Sequence, residues 1–487
     1  MTCTTPSVKR KNALYDENKE FTRYIENDGT SQSLRISPKY NERYLRMSIR
    51  YDDSLKVSSG KNISKKDYRV NDKLNVKYFG AIGDGITNDT DVIQFVLNLA
   101  KETGEIVYLP VGKYLIDSLE IPENVTLFGE NNKTSSDCLG TVLYCQNHEK
   151  QAILLNSHSG IKNIAFYYPR QNIVNDYAVT YPASIKLTDK KITTLIDIVN
   201  ICFINAYFAI DATAKHEKLR INNIWGYAIV KGLYIDGCTD MDMIDGVHFN
   251  YNTLRKFYDE KVIEEFELQT SKSGVAFQFG RSDTSIVKNI FAYGYRIGLQ
   301  LITSVTANKL LPPTYTIFTN VSMDTCDYPL WIGNASHVIF NNFVGVSNNH
   351  NGDVSNIKAC LYITNGDGIY MSNSILTGYG NLANINADDV IFSCCSFRNF
   401  NRGNDDETIF AVETKKGDIS INNSVIIGSQ NRNTGFLHGF AGANSITVVG
   451  CMIKNISLQG KLVQKDNEDT IITQGLNTLI NCVNVVT

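Results

Sequence analysis

The sequence predicts an all-β chain: a right-handed parallel β-helix with an N-terminal capping helix, a short helical insertion and a non-repeat N-terminal segment. Three observations carry this. The 487 residues include 26 Tyr and 22 Phe but only 2 Trp, in a background rich in Ile, Val, Asn and Gly, a mixture that favours strands and tight turns. A short phrase, apolar-x-Asn-apolar-x-aromatic, recurs from one end of the chain to the other. Several of its steps lie near 22 residues, far below the roughly 40–45 residues of a propeller blade, and few NG or DG hairpin signals accompany them.

The phrase reads IKNIAF at Asn163, IVNICF at Asn200, INNIWG at Asn222, MIDGVHF at Asp245, VKNIFAY at Asn289, FTNVSM at Asn320 and FNNFVG at Asn341. It continues as YMSNSIL at Asn373, FSCCSF at Cys394, INNSVII at Asn422 and VVGCMI at Gly450. A unit of two or three short strands cannot bury its apolar side chains alone, so the units must stack, and a coil of about 20–25 residues suits a parallel solenoid. Asparagines repeated at one turn are expected to bond from coil to coil. Asn222, Asn341 and Asn422 are expected to point inward or into that turn.

Residues 1–70 lack the repeat and carry 15 Lys and Arg against 9 Asp and Glu, whereas the remainder carries 32 against 41. A basic head on an acidic body predicts an anchoring arm or small module with a different partner from the body. The acidic body argues against nucleic acid. Residues 71–130 read as strand, loop, helix and strand. The helix has Asn88, Asp89 or Thr90 near its N-cap, a stripe of Val92, Ile93, Val96, Leu97 and Ala100, and a stop at Gly104. Residues 131–487 hold the coils, interrupted at 252–272, where Leu254, Tyr258, Val262 and Phe266 mark an amphipathic helix. The 11 cysteines show no CxxC spacing and mostly sit in apolar runs, which predicts free thiols in a reducing compartment; neither metal nor cofactor is expected. No apolar run reaches the roughly 18 residues of a membrane span, and the first twenty residues have no apolar core typical of an export signal.

The stretch FGAIGDGITNDTDVIQFVLNLAKETGEIVYLPVGKYLI resembles the N-terminal signature of the pectate-lyase-like β-helix superfamily, roughly FGAxGDGxxDDTxAIQxAL followed by Pro-x-Gly-x-Tyr. Gly83, Asp84, Gly85, Asp89 and Thr90 carry its centre, Pro110, Gly112 and Tyr114 its end, and Asn88 replaces the first Asp of the DDT triplet. The resemblance implies that the GDG loop and its helix close the first coil. It spans polysaccharide lyases, polygalacturonases and phage tail spikes, fibres and appendages, so it implies a fold and leaves the function open.

Of the catalytic patterns that the resemblance implies for polygalacturonases, Asp388-Asp389 is present, but no Gly-His-Gly or Arg-x-Lys follows, and His438 sits in FLHGF. Carboxylates remain the candidates. Glycosidic cleavage uses a pair roughly 5–9.5 Å apart, and neighbouring rungs of a solenoid lie about 4.8 Å apart. The candidate catalytic acids are Asp236, Asp240, Asp242, Asp245, Asp283, Asp324 and Asp327. Arg281, Tyr293, Tyr295, Glu264 and Glu265 are candidate glycan contacts, with the insertion as a groove wall. The competing reading makes these ordinary turn acids and places Asp245 in the inter-coil ladder. The functional expectation is a phage tail spike or appendage. It would be assembled as a homotrimer after synthesis in the host cytoplasm, docked on other tail or baseplate proteins through residues 1–70, with no nucleic acid bound and no membrane insertion. It would bind a bacterial surface polysaccharide or teichoic-acid-like glycan, with or without depolymerising it as a hydrolase or lyase. The alternative is a free carbohydrate-active enzyme. The apolar end, Thr478–Val486, is expected to be covered by other copies of the chain.

Overall fold

The structure, a computed structural model, describes residues 73–487 apart from 103, 131–139, 176, 306–310, 349–358, 401–408, 430–433, 457–459, 483–484 and 487. Within 1–72 it describes only the backbone of strands, among them Arg10–Asp16, which pairs antiparallel with both Phe21–Asn27 and Glu42–Arg46.

From residue 84 onward the strands of the main sheet pair in parallel with those of the next coil, which makes a right-handed β-helix of the solenoid kind expected. One inward column shows the register: Ile210, Leu233, Phe277, Leu299, Leu330, Leu361, Ala383, Val412, Leu437 and Val463 are successive partners, each from a separate strand. All ten are buried. In another column Phe318 stacks on its partner Phe340 at 4.9 Å, and Phe279, from a neighbouring strand, meets it edge-on at 5.4 Å. Burial of these columns, not hydrogen bonding within a coil, holds the stack together.

The first coil is closed as the motif implies, although the chemistry differs in detail. Helix α1 (Thr90–Lys101) buries Ile93, Val96, Leu97 and Ala100 in the same core as Val107 and Ile121. Asp89 at its N-terminus makes no capping bond. Its buried carboxylate instead accepts from the amides of Ile82 and Gly83 at 2.8 and 2.9 Å, tying the loop to the helix. Of the three cap candidates Asn88 does the capping: its Oδ1 accepts from the Thr90 amide and hydroxyl. Asp84 holds the turn by accepting from the amides of Ile86 and Thr87. Gly83 has φ +68°, and a Cβ there would lie 3.0 Å from the Tyr114 ring, so both backbone and packing require glycine.

The inter-coil ladder exists, at Asn163, Asn200, Asn289, Asn320, Asn373, Cys394 and Gly450 where the repeat places it, and one residue later in four coils. Asn200, Asn223, Asn289, Asn320, Asn342 and Asn423 lie in the left-handed region with φ between 49° and 58°. Gly246 and Gly450 fill the same position in their coils. Asparagine and glycine recur because that conformation penalises other side chains. The predicted Asn222, Asn341 and Asn422 are the half-buried residues just before, of which Asn341 accepts from the Asn373 amide of the next coil at 3.1 Å. Amide donates to amide from Asn200 to Asn163 (2.8 Å), Asn223 to Asn200 (2.7 Å), Asn320 to Asn289 (3.0 Å) and Asn342 to Asn320 (2.8 Å). Asn320→Leu is therefore expected to lose about 1–3 kcal/mol, combining left-handed strain with two missing hydrogen bonds. Asn320→Gly should lose only the bonds. Equal urea midpoints for Asn320→Leu and the parent chain would remove the ladder from the energetics.

The insertion is not one helix. A 3₁₀ turn (Tyr251–Lys256) buries Leu254, the chain then breaks at Asp259, and α2 (Glu260–Ser273) begins there with the Asp259 carboxylate accepting from the Val262 amide at 3.0 Å. α2 buries Ile263, Phe266 and Thr270 against strand Arg220–Ile235, where the Tyr227 hydroxyl donates to the Phe266 carbonyl at 3.0 Å. The described cysteines are free, seven of them buried, and among the described residues no helix is long and apolar enough to cross a membrane.

Candidate functional site

The acids chosen from the sequence divide into buried and paired groups. Asp236 and Asp242 are both wholly inaccessible. They lie in the turn that follows the third strand of their coil. Asp236 accepts from the amides of Arg281 (2.9 Å) and Val305 (3.1 Å). Gly280 makes room for it, since a Cβ there would sit 2.5 Å from its carboxyl carbon. Asp242 lies one residue before Met243, the partner of Arg220, so it occupies the inward position that Leu219 fills one coil earlier. Its carboxylate accepts from His216 Nε2 at 2.8 Å and from the Leu219 amide at 3.0 Å.

His216, equally inaccessible, was not singled out from the sequence. Its Nδ1 lies 2.7 Å from the Ala214 carbonyl oxygen, which can only accept, so Nδ1 carries a proton. Burial alone would push the imidazole pKa down, but the Asp242 carboxylate, the Ala214 carbonyl and the field of Asp236 outweigh it and hold His216 above its ordinary value. Cys238 completes a buried group whose ligand atoms all lie within 4.8 Å of one another, N, S and O donors of the kind zinc accepts. Both imidazole nitrogens already face oxygen acceptors, and burial, then Asp242, raise the Cys238 thiol. The geometry is that of an internal ion pair bridging coils.

The other predicted acids are structural or exposed. Asp240 pairs with Lys218 at 2.9 Å. Asp283 pairs with Arg281 at 2.7 Å, which occupies the guanidinium expected to contact sugar. Asp245 stands in the ladder, accepting from Asn289 at 2.8 Å and pairing with Lys288 at 3.1 Å. Asp324, half-buried, accepts from the Thr325 hydroxyl, and Asp327 is buried. Tyr295 cannot stack on a sugar: it is fully buried and its hydroxyl donates to the Ala228 carbonyl at 2.6 Å. Tyr293, the register partner of Asp324, packs its ring 5.5 Å from Tyr251. Glu264 is exposed and Glu265 half-buried on α2. That helix leads into the start of strand Val275–Phe279, whereas Asp236 and Asp242 follow the end of Arg220–Ile235, so helix and acids flank opposite edges of one sheet.

Between those edges runs a feature that no single residue announced. One residue in each coil points outward beside the inward column, and successive partners are Asp211, Tyr234, Gln278, Gln300, Trp331, Tyr362, Asn384, Glu413, His438 and Gln464. From Tyr234 to His438 every one is half-buried, with part of its surface open to solvent. Tyr328, Trp331 and Tyr362 form a cluster with ring centroids 5.2–5.8 Å apart. Gln278 donates to Gln300 at 2.9 Å, while its own Oε1 has no partner. Burial, with Asp236 and Asp211 adding, pushes the Tyr234 phenol up to about 12, so it remains a neutral hydroxyl. Towards the C-terminal coils the column continues through Glu413 and His438, whose Nε2 lies 2.9 Å from Asp466. Such a strip offers aromatic faces and paired donors and acceptors at the pitch of the coils, about 4.8 Å.

The profile of the family described as rhamnogalacturonase A/epimerase, pectate lyase-like, matches residues 73–352. The chain belongs to that family. Its curated relatives share one short stretch: the non-secreted LysM effector LysM19 of Penicillium expansum is 43% identical over 58 residues, 12% of this chain and 5% of that protein. Among solved structures, the pre-mature gene product 12 of bacteriophage phi29 is similar at a TM-score of 0.58 and 13% identity, over 84% of this chain and 57% of that one. The A-module of mannuronan C-5 epimerase AlgE6 from Azotobacter vinelandii gives 0.52 and 14%, over 83% and 98%. At these identities the likeness is one of fold, and family membership leaves the choice among binding, cleavage and epimerisation to the site.

Proposed function

We propose that this chain is a glycan-binding β-helix of a phage particle, lying along a bacterial surface polysaccharide through the outward column from Tyr234 to Asn384. The Tyr328–Trp331–Tyr362 cluster is the observation that carries this reading, because large aromatic faces held half-open on a rigid sheet suit sugar rings. The fold likeness to a phage gene product supports the particle assignment, with residues 1–70 as the part that docks on other tail proteins. Assembly as a homotrimer fits the exposed apolar residues Met243, Ile317 and Ile339 on one sheet face and Ile471 and Leu476 on the last coils. Three copies would multiply weak sugar contacts.

The second reading, a free carbohydrate-active enzyme, is favoured by the family itself, whose description names a rhamnogalacturonase and an epimerase. Solvent-facing groups that such chemistry could use include Asp324, Glu413 and the His438–Asp466 pair. One experiment addresses both. Purified protein is incubated with host envelopes, and retained protein and released oligosaccharide are assayed in parallel, with light scattering for mass. Retention by a three-chain particle is expected. Released oligosaccharide from a single-chain species of 54.5 kDa would favour the enzyme.

A further inference from the structure

We infer that the column selects a neutral glycan and discriminates against polyuronates; this rests on the glycan-binding reading above and names its ligand class. Tyr234, Gln278, Gln300, Trp331, Tyr362 and Asn384 are six successive rungs, and none carries a charge. A polymer with one carboxylate per sugar would set an anion over nearly every rung of this strip. Anion recognition draws on Arg and Lys, whose charge-assisted bonds offset the desolvation of each carboxylate.

The cations beside the six rungs are engaged elsewhere. Lys231, three residues before Tyr234 in the same strand, lies 4.5 Å from the centre of the Tyr234 ring and 5.8 Å from that of Phe208, and burial lowers its pKa. Arg296, exposed at the edge beside Tyr328, directs its guanidinium towards the Lys272 carbonyl at 3.5 Å. Of the charges that flank the six rungs, Asp211 lies 3.9 Å from Lys186, its partner on the preceding coil, while Glu413, next after Asn384, is negative and would repel a polyanion.

The hydrogen-bonding inventory points the same way. Gln278 Oε1 is an acceptor without a donor, and Gln300, having accepted from Gln278, retains its own amide group. Neutral amides such as that of Gln300 bond to sugar hydroxyls, which donate as well as accept, and need no compensating charge. The aromatic cluster adds apolar faces that match the C–H faces of neutral sugar rings.

The test uses the full chain in affinity electrophoresis through gels containing dextran, yeast mannan, soluble β-glucan or chitin oligosaccharide, set against polygalacturonate, alginate and hyaluronate. Retardation by at least one neutral polymer is expected, insensitive to 0.5 M salt, about tenfold weaker or worse in Trp331→Ala and in Tyr362→Ala, with unchanged melting temperature. Gln300→Glu should leave the fold intact and weaken binding several-fold. Salt-sensitive retardation by the uronates alone would overturn the neutral assignment while leaving glycan binding standing. Neutral binding that ignores both aromatic substitutions would place the site elsewhere and overturn the column. Retardation by neither class would overturn the glycan-binding reading itself.

Discussion

Asp242→Ala is expected to cost about 3–5 kcal/mol of folding stability, the cost of leaving one partner of a buried ion pair uncompensated. The His216–Asp242 pair is wholly inaccessible and bridges successive coils at 2.8 Å, so no water replaces the lost carboxylate. Urea denaturation at constant pH measures it, and a loss below about 1 kcal/mol would show that the pair is not an ion pair. The same contact fixes a pH dependence. His216 is held above its unfolded value of about 6.5, so its contribution is fully present below that pH and is lost as pH rises through the folded pKa. Stability should therefore decline on the alkaline side, and the decline should flatten in a His216→Gln, Asp242→Asn double variant, which carries neither charge.

Phe318→Ala is expected to cost about 3–5 kcal/mol. Its ring is completely buried and in contact with two others, Phe279 of a neighbouring strand at 5.4 Å and its partner Phe340 at 4.9 Å with planes only 10° apart. Truncation removes its own burial and opens a cavity that both neighbours face. Because a solenoid is stabilised mainly by nearest-neighbour interfaces, hydrogen exchange should accelerate first in the strands around residues 275–345 and little near α1. Uniform acceleration along the chain would contradict that nearest-neighbour picture.

The coil architecture was legible because its causes are local and repeated. Each turn needs a left-handed residue and each strand an inward apolar column, so Asn and Ile recur in phase. Where Asn is doubled, as at Asn222-Asn223 and Asn341-Asn342, the sequence pattern points one residue early, because only the backbone tells which of the two takes the left-handed turn. The site was hardly legible. Asp236 and Asp242 look like solvent-facing acids in IDGCTDMDMIDG, and nothing adjacent in sequence reveals that His216 and the amide of Val305 close around them. The outward column was present as a faint pattern: GLYI, AFQF, GLQL, PLWI, CLYI and LANI each carry the exposed residue in third place. Finding it required the register, because steps of unequal length separate these tetrads.

The ladder amides also have a direction. Asn342 donates to Asn320, Asn320 to Asn289 and Asn289 to Asp245, each bond pointing towards the preceding coil. Three amide dipoles thus add head to tail along the axis, and the positive pole of the row ends on a carboxylate. Asp245 is in effect the counter-ion of that pole, standing to a column of side chains as an acidic residue stands to the first turn of a helix. An acid chosen for catalysis is therefore the electrostatic terminus of a polar row, and Asp245→Asn would keep the hydrogen bond while removing the charge on which the row ends.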